Sequence, residues 1–441
     1  MNFAEALSYL LSLGHETLTI KLGLANTETL LAALGNPHKE FPAIQIAGTN
    51  GKGSTAVTLD AICREAGIRT GLFTSPHLIS ITERISIDGE PVSEADFARF
   101  TAQVRQTAEE LVKQRKLETL PTFFEHVTAI ALLAFRAAKV DLAILETGLG
   151  GRLDSTTAAR ADIVAITSIA MDHEEYLGHS LAEIAAEKAA IIRPGVVAII
   201  ARQDKEALDV IVRQCEASGV GPGLIEPDAD ISGISEDGRC RATFETPTDK
   251  YANLWLGLRG RHQIANVATA IGIAEVLREQ GFAISRAAIS KGVGKARHPG
   301  RLELWEGRPR ILFDGAHNPA AARALRSYLD EFVTGTITMI FGAMRDKALN
   351  EMAAVLFPVA DQLILTELDN PRAASLEMLK LALPEDFNAT KLHQASSTVA
   401  ALRIAKEVVP ADGLICVTGS LYLVGTVQQA LKEFTGVAHW A

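Results

Sequence analysis

Cysteine is scarce in this chain: four among 441 residues, Cys63, Cys215, Cys240 and Cys416, with no C-x-x-C pair. That excludes a disulfide framework and a thiolate zinc site, and it suits a reducing cytoplasm. No stretch approaches the roughly 18 uninterrupted apolar residues of a membrane span. The longest such stretch, residues 127–135, suits a buried helix. Basic residues do not predominate either. A formal charge of −10 argues against nucleic-acid binding, so anionic substrates have to be met by local basic clusters. Residues 1–13 lack a basic region and a small-residue cleavage site, so no signal peptide is expected, and the expected location is the cytoplasm, away from membranes. There is no internal repeat and no low-complexity tail. What remains is 48% hydrophobic and 22% charged, the composition of a well-buried globular protein. The length calls for two or three domains.

The most informative stretch is Ala47-Gly48-Thr49-Asn50-Gly51-Lys52-Gly53-Ser54-Thr55. An apolar run at 43–47 leads into it, and a helical pattern with Leu59 and Ile62 follows. Strand, glycine loop and helix N-terminus together suit a phosphate, because main-chain N–H groups and the helix dipole both favour an anion. Asn50, Gly51, Lys52, Gly53, Ser54 and Thr55 are therefore candidates to hold ATP. Lys52 supplies a charge for the β- and γ-phosphates, and Ser54 a hydroxyl for Mg²⁺. The spacing departs from G-x-x-x-x-G-K-[ST], since Gly53 separates Lys52 from Ser54. A plain glycine turn is the competing reading of Gly-Lys-Gly alone; the leading strand and the Lys-Gly-Ser-Thr run favour phosphate.

Along the chain, residues 3–13 read as a helix and 21–26 as a turn-rich segment. Residues 71–73 read as a strand entering a proline turn, and 81–87 as another strand closed by Asp88-Gly89. A polar helix capped by Ser93 covers 93–116, and a buried helix opens at Pro121 and runs to 138. Short apolar runs at 141–145 and 161–168 end near Glu146 and His173. Strands alternating with helices predict a parallel α/β sheet, whose ligands gather at the carboxyl ends of the strands. The glycine loop, Ser75, Glu146 and His173 all follow such strands and so belong on one edge. Residues 202–260 show only weak patterning, and an Ala-rich helix starts near 263.

The basic, Gly- and Pro-rich segment 291–301 marks a domain boundary. Residues 1–296 form an ATP-binding P-loop domain with a mostly parallel sheet, and 297–441 a Rossmann-like α/β domain. Strands in the latter are expected at 310–313, 336–341, 362–366 and 414–418. No G-x-G-x-x-G follows its first strand, so a dinucleotide cofactor is not expected.

Several polar residues admit two readings. Glu146, after four apolar residues, is a strand-end acid in solvent or an oxygen ligand for Mg²⁺. His173 caps a helix or serves the site. Asp314 and His317 cap a C-terminal helix or face the nucleotide across a cleft. Arg152, Arg301 and Arg345 are surface arginines or clamps for carboxylate or phosphate. Lys188 shares an apolar helical stripe with Leu181, Ile184, Ala185 and Ile192. Its amine either reaches water along the core edge or is buried for chemistry, with a lowered pKa.

Seven motifs in order resemble the folylpolyglutamate synthase/dihydrofolate synthase branch of the Mur ligases. They are Gly48-Thr-Asn-Gly-Lys-Gly-Ser54, Thr74-Ser-Pro-His-Leu78, Glu146-Thr-Gly-Leu-Gly-Gly-Arg-Leu-Asp154, Met171-Asp-His173, Glu187-Lys188-Ala189, Pro299-Gly-Arg-Leu-Glu303 and Asp314-Gly-Ala-His-Asn-Pro319. The resemblance implies ATP-driven amide formation through an acyl phosphate, with L-glutamate added to dihydropteroate or to a folate and ADP and phosphate released. It implies catalytic roles for Lys52, Glu146, His173 and Lys188. Two Mg²⁺ sites are implied, the first using Ser54, Ser75 and Glu146, the second His173 and Lys188 as a carbamate. Asn266, Arg301 and Asp314, with His317 nearby, match ATP-contacting positions. Ile20, Lys21, Leu22, Ser75, Pro76, His77, Thr122, Phe124, Glu125, Leu153, Asp154 and Ser155 match positions near the pterin substrate. A monomer without nucleic-acid or membrane partners is implied as well.

Two departures touch no implied metal ligand: Thr157 stands where relatives often have Asn, and Ala190 where Gly is common. The rival reading is another Mur-type amide ligase, such as a cell-wall enzyme. Those carry a nucleotide-sugar domain before the loop, for which the 47 residues preceding Gly48 leave no room. A P-loop switch that turns over ATP without a carboxylate acceptor is the alternative outside ligase chemistry.

Overall fold

The computed structural model describes residues 1–14, 23–226 and 229–435. The fold is α/β. Eight strands build the first sheet: β1 (Ala43–Ala47), β2 (Thr70–Phe73), β3 (Ile85–Ile87), β4 (Glu90–Pro91), β5 (Leu142–Glu146), β6 (Ile163–Ile166), β7 (Val197–Ala201) and β8 (Pro222–Ile225). Their order is β4-β3-β2-β5-β1-β6-β7-β8, parallel from β2 to β8 and antiparallel at β3 and β4. β1 and β5 are buried along their whole length, as strands covered on both faces must be. Alternation then splits the core. Ile44 and Ile46 pack with Leu59, Ile62 and Ile271, whereas Ala43, Leu145 and Phe73 pack with Phe97, Val127 and Phe135.

Three antiparallel strands follow, β9 (Ala229–Ile234), β10 (Arg239–Glu245) and β11 (Lys250–Arg259). The second large sheet contains β12 (Glu303–Trp305), β13 (Arg310–Asp314), β14 (Ile337–Phe341), β15 (Gln362–Thr366), β16 (Leu392–Ala395) and β17 (Leu414–Thr418). Its order is β12-β13-β17-β14-β15-β16, with only β12 antiparallel. Among the described residues no helix is long and apolar enough to cross a membrane.

Three local expectations need correction. Residues 81–87 are not one strand: Ile81–Arg84 is a 3-10 turn, and only Ile85–Ile87 is extended. The Glu83 carboxylate accepts from the N–H groups of Leu78 and Ser80, both at 2.8 Å, and that winds the backbone. The segment 21–26 is not all turn, because a helix covers Ala25–Ala33. The described residues between 202 and 260 are well structured, with a helix at Lys205–Ser218 and β8 to β11. That helix buries only Ala207, Ile211 and Cys215, a stripe too narrow to read, and β10 hides its alternation behind small residues such as Cys240 and Ala242.

Candidate active site

A cavity of about 1360 Å³ opens where the carboxyl ends of β1, β2 and β5 face the loop after β13. The glycine loop forms its floor. Thr49 and Asn50 donate their N–H groups to the Ser168 carbonyl beyond β6, at 2.9 and 3.1 Å, which fixes the loop to the neighbouring strand. Gly51 sits at φ +90° as the cap of helix Lys52–Glu65, and a side chain there would strike the Asn266 amide. At Gly53 a Cβ would lie 2.7 Å from the His298 ring and 3.3 Å from Glu146 Oε2. The residue that breaks the usual spacing is therefore the one that leaves room between the loop and Glu146. Lys52 curls over the loop, donating to the Gly48 and Thr49 carbonyls at 3.1 Å each. Burial lowers its pKa, while the charges of Glu146 and Asp172 act in the opposite direction.

Glu146 ends β5 beside Ile46 of β1 and is 5% exposed. Burial raises its pKa, opposed by the Lys52 charge and by the Ser75 N–H, which donates to Oε2 at 3.1 Å. Lys188, also 5% exposed, donates from Nζ to the Gly48 carbonyl at 2.9 Å. Burial, then the nearby Lys52 charge, pushes its pKa down to about 7. The lysine of the apolar stripe is thus buried with its amine on the phosphate loop. His173 stands at φ +52°, and its Nδ1 is buried without a partner among the described residues. Burial and the Lys347 charge hold its pKa well below the ordinary range.

Of the candidates, Asn50 to Ser54, Ser75, Pro76, His77, Thr122, Phe124, Glu125, Glu146, Leu153, Asp154, Ser155, His173, Lys188, Asn266, Arg301, Asp314 and His317 all line this one cavity. Some of them also hold structure. Thr122 and Glu125 form a capping box on helix Phe123–Ala138, and Thr27 donates to Glu125 Oε1 at 3.0 Å. Asp154 accepts from the N–H groups of Gly148, Leu149 and Thr156, shaping the loop after β5. Asp314 accepts from Leu302 and Ala316 N–H at 2.9 and 3.0 Å, and Asn318 is the residue that caps helix Pro319–Phe332. Arg301 donates to the Gly315 carbonyl at 2.9 Å.

Three candidates fall elsewhere. Thr55 is buried under the loop helix, its hydroxyl 3.4 Å from the Asn266 carbonyl. Arg152 does not line the cavity; it pairs at 3.0 Å with Glu187, which does. Arg345 is exposed, two residues short of Lys347, which does line the cavity. Ile20, Lys21 and Leu22 lie outside the described residues.

Four contributors were not singled out from the sequence: Asp172, His298, Asn318 and Lys347. Asp172 receives Lys347 Nζ at 2.7 Å and Asn318 Nδ2 at 3.1 Å, and Asn318 also reaches Asn50 Oδ1 at 3.0 Å. Burial works to raise the pKa of Asp172, but His173, Lys347 and His317 outweigh it and hold the carboxylate below the usual range. This cluster ties the two large sheets together across the cleft. Asp172 and Asn318 carried a signal, from their places in Met171-Asp-His173 and Asp314-Gly-Ala-His-Asn-Pro319.

Among the described residues no three His, Cys, Asp or Glu side chains gather as a metal-binding group. The donors at hand are the Glu146 carboxylate, the Ser54 and Ser75 hydroxyls and the bare Nδ1 of His173. A sparse, oxygen-rich set fits a hard cation that keeps waters and shares phosphate oxygens.

The Mur ligase middle domain family matches residues 46–274, and the family described as Mur ligase, glutamate ligase domain matches residues 300–421. The dihydrofolate synthase/folylpolyglutamate synthase of Bacillus subtilis is 35% identical over 421 residues, 94% of this chain and 96% of that protein. A Haloferax volcanii relative, a probable bifunctional folylpolyglutamate synthase/dihydropteroate synthase, is 35% identical over 431 residues; the match takes in 96% of this chain but spans only 50% of that longer protein. The Mycobacterium tuberculosis folylpolyglutamate synthase complexed with ADP superposes with a TM-score of 0.90 at 31% identity, covering 97% of this chain and 99% of that one. A bifunctional folylpolyglutamate synthase/dihydrofolate synthase with Mn, AMPPNP and L-glutamate bound gives 0.83 at 31% identity, covering 98% of each. Matches of this extent, across both large sheets and the cleft between them, mean that the chain belongs to the dihydrofolate synthase/folylpolyglutamate synthase branch of the Mur ligase family.

Proposed function

We propose that this chain is an ATP-dependent ligase that joins L-glutamate to the carboxylate of dihydropteroate, of a (tetrahydro)folate, or of both. The acceptor carboxylate attacks the γ-phosphorus of ATP and displaces ADP. The glutamate amine then attacks the acyl carbon, loses a proton, and expels phosphate. A free carboxylate is a poor acyl donor, and phosphorylation supplies its leaving group. The protein's part is to position the reactants and to balance phosphate charge.

Lys52 and the main chain from Asn50 to Ser54 bind the triphosphate. Asn266, beside the loop, and Arg301, Asp314 and His317, from the far wall, hold the rest of the nucleotide and the transferring group. Ser75 to His77, Thr122 to Glu125 and Leu153 to Ser155 receive the pterin end. Ser54, Ser75 and Glu146 are assigned to one Mg²⁺, and His173 with Lys188 as a carbamate to a second. When bound, these cations screen the phosphate charge. The depressed pKa of Lys188 supports the carbamate, because only a neutral amine has the lone pair to add to CO₂, releasing one proton as the N–C bond forms.

The observation that carries the reading is the cluster of Lys52, Ser54, Glu146 and Lys188 on one sheet edge, facing Arg301, Asp314 and His317 across one cavity. We place the domain boundary at 296/297, in the connector between helix Arg286–Lys295 and β12. The protein acts as a cytoplasmic monomer on small molecules, and its net negative charge suits neither nucleic acid nor an anionic membrane surface.

The test is glutamate-dependent ADP release with Mg-ATP, using 7,8-dihydropteroate and tetrahydrofolate as separate acceptors. Turnover with both identifies a bifunctional synthase, and turnover with one assigns that activity alone. Turnover with neither, in protein that binds ATP, rejects the folate reading in favour of another Mur-type ligase.

A further inference from the structure

Ser54 and His298 are 244 positions apart, yet Ser54 Oγ lies 3.2 Å from His298 Nδ1. Among the described residues that nitrogen is the only hydrogen-bond partner of the hydroxyl. His298 belongs to the connector between helix Arg286–Lys295 and β12, and the connector is well anchored. Arg301 N–H donates to the His298 carbonyl at 3.2 Å, Gly315 N–H to the Gly300 carbonyl at 2.9 Å, and Gly300 N–H to Glu303 at 2.7 Å. The other edge of the ring faces Gly53, where a Cβ would lie 3.0 Å from Nε2. The imidazole therefore rests on the first turn of the loop helix, in a place that the absence of a side chain at Gly53 leaves open.

A hydroxyl that turns its lone pairs to a cation must aim its proton elsewhere. We propose that His298 is a positioning residue: Nδ1 accepts the Ser54 proton and holds the oxygen lone pairs toward the nucleotide-bound cation. The inference rests on the assignment of Ser54 to that cation and adds the group that orients it. Because His298 comes from the connector, correct seating of the C-terminal half becomes part of building the metal site. Partners that orient a ligand in this way are typically worth about tenfold or more in metal affinity.

The test measures Mn²⁺ binding by electron paramagnetic resonance, with a non-hydrolysable ATP analogue, in the full-length protein and in Ser54→Ala, His298→Phe and His298→Asn. Equal melting temperatures establish that the variants fold. His298→Phe keeps an aromatic ring without an acceptor and should weaken Mn²⁺ roughly tenfold. His298→Asn, whose amide oxygen can take the place of Nδ1, should stay within about threefold of the parent. If Ser54→Ala weakens Mn²⁺ while His298→Phe does not, the inference falls and the Ser54 assignment stands. If Asn is as weak as Phe, an oxygen acceptor in that place does not restore binding, proton acceptance is not what His298 supplies, and the inference also falls. If Ser54→Ala itself binds Mn²⁺ normally, the metal assignment of Ser54 fails, and this inference with it.

Discussion

Replacing Lys188 by Met should abolish turnover and yet relieve the folded protein of a buried charge. The ammonium, whose ordinary pKa is 10.5, is held at about 7 by burial and by Lys52. At about 1.4 kcal/mol per pH unit, the difference amounts to about 5 kcal/mol. The sign follows from proton counting. Below about pH 7 folded and unfolded chains both carry the proton, and the whole cost is present. From there to the unfolded pKa of 10.5 the unfolded chain binds more protons, so stability rises with pH and the cost disappears. Methionine has no such dependence. The advantage of Lys188→Met over the parent should therefore shrink by about 3 kcal/mol between pH 6.5 and pH 9.5. Loss of the hydrogen bond to Gly48 subtracts only a constant, softened because Lys52 also donates to that carbonyl. The assay is urea unfolding of ligand-free protein in CO₂-free buffer at several pH values. Parallel stability–pH curves for the two proteins would refute the reasoning. Adding bicarbonate near neutral pH should then stabilise the parent alone, since a ligand that adds to the folded state shifts the equilibrium toward it.

Further outcomes can be checked separately. Lys188→Ala should lose most glutamate-dependent ADP release, and short carboxylates should restore part of it; full activity in that variant removes the carbamate assignment. Glu146→Ala should move the Mg²⁺ titration of activity to higher concentration, and an unchanged titration counts against its metal role. Gly53→Ala should fold but turn over poorly, because its methyl group would sit 2.7 Å from His298 and 3.3 Å from Glu146 Oε2. Circular dichroism and steady-state kinetics together test that pairing. Lys347→Met removes a partner from buried Asp172, at a cost of about 3 kcal/mol in urea unfolding; a change well under 1 kcal/mol would mean that Asn318 and the two histidines suffice.

The sequence by itself determined whatever depends on neighbours a few residues apart. Glycines followed by Lys52, Ser54 and an amphipathic run specify a strand–loop–helix phosphate site, because main-chain donors and turn conformation are local properties. Strand endings placed Ser75, Glu146 and His173 on one edge, since parallel α/β topology leaves little choice. The helical period exposed Lys188 as a charge on an apolar stripe. Tertiary structure alone decided which distant groups meet. Asp172 and Lys347 are 175 positions apart, and nothing near either one in the chain names the other. His298 read as part of a basic linker until the connector folded back onto the loop helix. One of the two readings of Asp314 was a helix cap, but the cap is Asn318, and Asp314 instead accepts main-chain N–H groups at the end of β13. Arg345 gave way to Lys347 for the same reason: in a loop between sheets, the direction of a side chain is set by packing rather than by periodicity. Local hydrogen bonds and periodicity are encoded within a few residues; the pairing of charges across a cleft depends on how two sheets, each with its own core, come to face one another.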